Sequence, residues 1–145
     1  MQNGASHHIN DGIRLGVGVD AETNGQPQIN ALGDDNNGDD EDGVAISALT
    51  RGTMGIAQVN VNGGGFLNAW IDFNGDGDWN DAGEQIATSK YLITGGNPNP
   101  ITFLVPVNAT TNATFARFRF GVDAAVPPTG GAGDGEVEDY RIVIP

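Results

Sequence analysis

The 145-residue chain has no cysteine. A disulfide framework is excluded, and a small domain without one commonly relies on another staple, bound metal above all. Basic residues are scarce: six Lys and Arg stand against nineteen Asp and Glu, for a net charge of −13. A surface of that sign repels phosphate backbones and anionic headgroups, so nucleic acid is not an expected partner. No apolar run approaches the roughly 20 residues that span a bilayer, and membrane insertion is not expected either. Long runs of Ala, Leu, Glu and Lys, the usual material of helices, are also missing. Met1 is followed by the polar QNGAS with no leader-like segment. Residues 1–145 therefore read as a single module of a longer chain, monomeric within it.

What is present is a core of ordinary size, with 38% hydrophobic residues, and many turns, with 23 glycines. Short apolar or alternating segments are separated by turn signals. "GIRLGVGV" and "GVAIS" are short strands. "MGIAQVNVN" sets Ala57, Val59 and Val61 against Ile56, Gln58 and Asn60, a period of two. "NGGG" then turns the chain into "FLNAWIDF", so 54–73 reads as a hairpin. There Leu67, Ala69, Ile71 and Phe73 share a face and Trp70 takes the other. "EQIATSKYLI", "ITFLVPV", "TFARFRFGVD" and "EVEDYRIVI" supply further strands, the third with Phe118 and Phe120 opposite Arg117 and Arg119. The pattern predicts an all-β fold, an antiparallel, jelly-roll-like β-sandwich of about seven to nine strands.

The acids are not scattered. Six of the nineteen lie in 34–42, five in 72–84 and four in 134–139. Clustered carboxylates repel one another unless something neutralises them. In "DFNGDGDWNDAGE", counting from Asp72, oxygen-bearing side chains fall at positions 1 (Asp72), 3 (Asn74), 5 (Asp76), 7 (Asp78) and 9 (Asn80). Gly77 falls at position 6. That is the opening of an EF-hand-type calcium loop, in which alternate oxygens converge on a hard cation and glycine permits the sharp turn. Position 7 of such loops gives its backbone carbonyl, so Asp78 is expected to ligate through its main chain. The closing glutamate is one residue late, at Glu84, and the flanks are strands. The expectation is a calcium loop joining two strands, closed by Glu84 or Asp81, with Trp79 packed beneath it. The bland alternative is a solvated Asp/Gly turn.

The chain ends with GEVEDY, residues 135–140. With "GVDAETNGQP", "GDDNNGDDEDGV", "LNAWIDFNGDGDW", "AGEQI", "ARFRFG" and "PTGGAGDGEVEDY", it resembles the GEVED domain of bacterial secreted and surface proteins, over nearly its whole length. The resemblance implies an extracellular β-sandwich module, set among others in a large adhesin-like or secreted protein. It implies no agreed activity.

The other clusters admit similar readings. In 34–42 a second calcium site would draw on Asp34, Asp35, Asp39, Asp40 and Asp42, completed by Asp20 or Glu22 from the preceding loop; a flexible acidic linker is the alternative. Glu136 and Glu138 project from one side of a strand, as a pair that would hold a cation or meet a ligand, and Asp139 has Arg141 as a bland partner. A glycosidase would need two carboxylates across a sugar cleft, which nothing in the sequence marks, so no enzyme is expected. The long loop 123–135, rich in Gly and Pro, is expected beside the calcium, with Asp123 and Asp134 offering contacts to a ligand. Together these give a calcium-dependent extracellular binding or adhesion module, holding two or more Ca2+ ions, with a peptide or glycan as ligand. The competing reading is a calcium-rigidified spacer.

Overall fold

The computed structural model describes residues 5–8 (backbone only), 12–16 and 43–145. Strands run in the order β1 (Ala5–His8), β2 (Arg14–Leu15), β3 (Val44–Ile46), β4 (Met54–Val59), β5 (Val61–Asn62), β6 (Gly64–Ile71), β7 (Gln85–Ile93), β8 (Asn99–Leu104), β9 (Ala113–Gly121) and β10 (Gly130–Val143), with one 3-10 turn at Thr94–Gly96. The described residues contain no α-helix. The larger sheet has the order β1-β10-β9-β6-β7 and the smaller β3-β4-β8, while β2 and β5 form a two-stranded ladder. All pairings are antiparallel except β1 with β10. This is the β-sandwich that the alternating pattern predicts.

The core lies between the sheets. Ala57 and Val59 of β4 and Ile101 and Phe103 of β8 face Leu67, Ala69 and Ile71 of β6 and Ala116, Phe118 and Phe120 of β9. Phe73 and Phe103 meet with ring centroids 6.3 Å apart, tying the acidic loop's first turn to the smaller sheet.

The expected hairpin over 54–73 does not form. β4 pairs with β3 and β8, whereas β6 pairs with β7 and β9. The short β5 pairs with β2 between them, and Gly63, at φ +83°, turns the chain into the second sheet. A hairpin would have laid both apolar stripes on one face of one sheet. Crossing between sheets lets Ala57 and Val59 close on Leu67, Ala69 and Ile71 from the opposite side, which removes both stripes from water.

The expected loop 123–135 is also shorter than the sequence suggests. β10 begins at Gly130, because β1 pairs in parallel with its first residues, from Ala5 opposite Gly130 to His8 opposite Asp134. The connection that remains, 122–129, folds over the outer face of the larger sheet.

Candidate functional site

The acidic loop joins β6 to β7. Its neck is closed by Ile71 N donating to Glu84 O at 2.8 Å. Asp72 is anchored on β9: its N–H donates to Phe115 O at 3.1 Å, and its carbonyl accepts from Thr114 Oγ1 at 2.6 Å. Both of the loop's terminal acids turn inward and hold backbone. Asp72 Oδ1 accepts from Gly75 N (2.6 Å) and Asp76 N (3.2 Å), and its Oδ2 accepts from Gly77 N (3.0 Å). Glu84 Oε1 accepts from Phe73 N at 3.0 Å and its Oε2 from Asp81 N at 3.3 Å. Each is only 2% exposed. Burial raises the Asp72 carboxyl above its ordinary value, against the pull of the Gly77 and Gly75 N–H groups. Burial likewise pushes Glu84 up to about 7, with the Asp81 N–H bond opposing it.

Between these anchors the loop winds by repeated side-chain-to-backbone bonds. Asn74 Oδ1 accepts from Asp76 N (3.0 Å), Asp76 Oδ1 from Asp78 N (3.1 Å), and Asp78 Oδ1 from Asn80 N (2.9 Å). Short polar side chains favour such two-residue steps. Gly77 takes φ +92°, a conformation costly for any residue with a Cβ, as position 6 requires. The winding gathers the carboxylates of Asp76, Asp78 and Asp81, with one oxygen of each within 4.8 Å of the others. Asn74 Nδ2 donates to both Asp76 Oδ2 and Asp81 Oδ2, so its amide serves two carboxylates as a partial positive charge. A cleft of about 160 Å³ opens beside them, with Asn74 and Asp81 on one wall and Pro106, Asn108 and Ala109 on the other. Thr110 N donates to Phe73 O at 2.7 Å and holds that second wall in place.

The geometry redistributes the expected roles. Asp78, expected to act through its carbonyl, presents its carboxylate to the cluster. Asp81 joins the cluster, while Glu84 lies beneath the loop on backbone donors. The signal for Asp81 is its spacing, nine residues from Asp72, but sequence alone does not separate it from Glu84.

Trp79 packs beneath the loop as its position suggests, 4% exposed. Its ring lies 5.4 Å from the Arg117 guanidinium. Arg117 is fully buried and forms a bidentate pair with Asp139, Nε to Oδ1 at 2.7 Å and Nη2 to Oδ2 at 2.6 Å. The bland partner Arg141 is thereby corrected to Arg117, which stands directly opposite Asp139 in the β9–β10 register, while Arg141 is exposed two residues along. Burial raises the Asp139 carboxyl and the Arg117 bonds oppose that shift; the fork geometry is that of an ionised pair. Arg117 Nη1 also donates to Pro128 O at 3.0 Å. Arg119 Nη1 donates to Pro127 O at 2.7 Å and Thr129 O at 3.2 Å. Asn68 Nδ2 adds a bond to Ala124 O at 3.0 Å. The connection 124–129 is therefore a strap held over the sheet through its own carbonyls.

Glu136 and Glu138 are buried, at 5% and 1% exposure, on the side of β10 opposite Asp139. Glu138 Oε2 accepts from the Tyr140 hydroxyl, which in turn accepts from Val44 N at 3.1 Å. Asp123 Oδ2 accepts from Gly133 N at 2.6 Å, and Val122 N donates to Asp134 O at 2.9 Å. Asp123 and Asp134 do not stand beside the acidic loop. Asp72 bonds at Phe115, near the start of β9, whereas Asp123 follows its end at Gly121, a separation of roughly 25 Å along an extended strand. The acids Asp34, Asp35, Asp39, Asp40 and Asp42, with Asp20 and Glu22, lie outside the described residues.

The GEVED domain model matches residues 66–143, from β6 through β10, and so takes in the acidic loop, both arginines and the strap. The blocks before residue 66 that share in the resemblance lie outside that match. No curated protein and no solved structure matches the chain. With the match covering more than half of its length, the chain belongs to the GEVED domain family.

Proposed function

We propose that the loop 72–84 binds one calcium ion and that the module is a calcium-dependent, non-catalytic binding unit of an extracellular bacterial protein. The observation that carries this reading is the convergence of Asp76, Asp78 and Asp81 on the solvent side of the loop. Three carboxylates with no Lys or Arg in the loop itself suit a hard divalent cation with oxygen ligands. The chain's own supports lie below: Asp72 and Glu84 fix the backbone from which the ligands project. Because Asp76 and Asp81 are exposed, an ion there keeps positions open to solvent. Those positions can take the hydroxyls of a glycan or the carboxylate of a peptide, and the cleft against Pro106 and Asn108 gives such a ligand a wall. The second reading, a calcium-stiffened spacer, is favoured by the way the loop is bonded to β9 at both Asp72 N and O.

Calorimetric titration with calcium tests the ion. One site should appear at this loop and vanish in Asp76→Ala; an unchanged stoichiometry in that variant would remove the assignment. Glycan and peptide arrays run in calcium and in EDTA then decide between the two readings, since a spacer gives no calcium-dependent hit.

A further inference from the structure

Trp79 is a large buried side chain of the acidic loop, and the group its ring covers is Arg117. Arg117 has no freedom of its own: Asp139 holds two of its nitrogens, and a third donates to Pro128 O in the strap. Any change in the loop that shifts Trp79 must move the guanidinium against the strap or lose the contact. A guanidinium under an indole, out of water, is held more strongly than an exposed pair. The strap follows the arginines, because its carbonyls accept from Arg117, Arg119 and Asn68, while Ala124, Ala125 and Pro127 are exposed to solvent.

We infer that the contact between Trp79 and Arg117 couples the acidic loop to the 124–129 strap, so that the strap's closure depends on the state of the loop. The coupling itself follows from the packing. Its control by calcium rests on the ion-binding reading above. The neighbouring charges are Arg119, which holds the strap beside Arg117, and Asp139, which faces both arginines. Coupling of this kind is reciprocal in free energy, so a loosened strap should also weaken whatever the loop binds.

Elastase cleavage reads the strap directly, since Ala124 and Ala125 are suitable, exposed residues, and mass spectrometry locates the cut. Trp79→Leu should raise the rate of cleavage at 124–126 about tenfold, the scale of one desolvated cation–π contact, while the folded fraction by circular dichroism is unchanged. Trp79→Phe keeps a ring over the guanidinium and serves if the leucine variant does not fold; it should show a smaller rise. An unchanged rate in a folded variant would overturn the coupling. In the second arm, calcium should slow cleavage of the parent and leave Trp79→Leu unaffected. Equal protection of both proteins would rule out Trp79 as the link. Calorimetry on the same samples separates the two ideas: if no calcium binds, the ion reading falls, and the cleavage rates of the variants without calcium still decide the coupling.

Discussion

Two acidic stretches of this chain reach opposite ends. In 72–84, Asp76, Asp78 and Asp81 turn toward one another at the surface. In 136–139 the acids are buried, Asp139 against Arg117 and Glu138 against the Tyr140 hydroxyl. The difference follows from solvent. A buried carboxylate must bring its partner with it, because an unpaired charge out of water costs several kcal/mol. A surface cluster can take its partner from solution. Density of acid in a sequence therefore does not identify an ion site; what separates the two stretches is whether a charged partner comes with the fold. The GEVED motif is on this view mainly a structural signature, with its counterpart in the arginines of "ARFRFG".

The comparison predicts its largest effect in the buried pair. Asp139→Ala leaves Arg117 buried without its carboxylate and should destabilise the fold by about 3–5 kcal/mol in urea denaturation. The loss should persist in calcium and be no smaller there than in EDTA, since Arg117 also carries the contact to Trp79. A loss that calcium restores would mean that the two regions are not separate in kind.

The acidic loop should behave in the reverse way. Calcium bound only by the folded state should stabilise it by about 3–4 kcal/mol at a hundred to a thousand times the dissociation constant. Magnesium, which prefers a tighter octahedral shell and holds its waters, should do much less. Asp76→Ala should abolish the gain, leaving the melting temperature alike in calcium and EDTA. Identical melts of the parent in calcium and EDTA would show that the cluster is only a solvated turn.

How far the sequence shows this division depends on what decides each part. The strands of β4, β6, β8 and β9 are legible because period-two alternation is a local signal, and Ala57, Val59, Leu67 and Phe118 fall in the core where it puts them. Which strands pair is not local: the same alternation fits a hairpin over 54–73, and only the ladder of β5 with Arg14–Leu15 diverts the chain. Within the loop, the winding from Asp72 to Asn80 and the turn at Gly77 follow from spacing. The choice between Asp81 and Glu84 depends on which side chain meets Phe73 N, a contact that spacing does not encode. Alternation in β9 only sets Arg117 and Arg119 opposite Phe118 and Phe120, on the face turned from the core, where exposure would be ordinary. The arginines are buried instead, because the strap returns over them, and no periodicity announces that return.

A pH series sharpens the contrast at the loop. Glu84 titrates at about 7 in the fold against an ordinary 4.5, so between those values the folded chain keeps a proton that the unfolded chain has released. Without calcium, stability is highest below pH 4.5 on this account and is lost as pH rises through 7, by on the order of 3 kcal/mol. Glu84→Gln should flatten that slope in EDTA melts. Calcium should oppose it, since a cation beside the loop favours ionised carboxylates. A slope that survives in Glu84→Gln would assign the proton to another group.

The smallest expected effect lies at the far end of β9. Asp123 Oδ2 accepts from Gly133 N at 2.6 Å in an exposed setting, and one such bond contributes about 0.5–1.5 kcal/mol net. Asp123→Ala should cost no more than that. Because Asp123 follows β9 at the end away from Phe115, where Asp72 is anchored, calcium stoichiometry should be unchanged and affinity altered less than about twofold. Asp123 also pins the base of the strap, beyond the carbonyls that Arg117 and Arg119 hold, so its loss should leave those three bonds in place. Calorimetry on Asp123→Ala checks this against Asp76→Ala. A tenfold loss of calcium affinity would show that the two ends of β9 act as one site, and the distinction between loop and strand would then have to be drawn elsewhere.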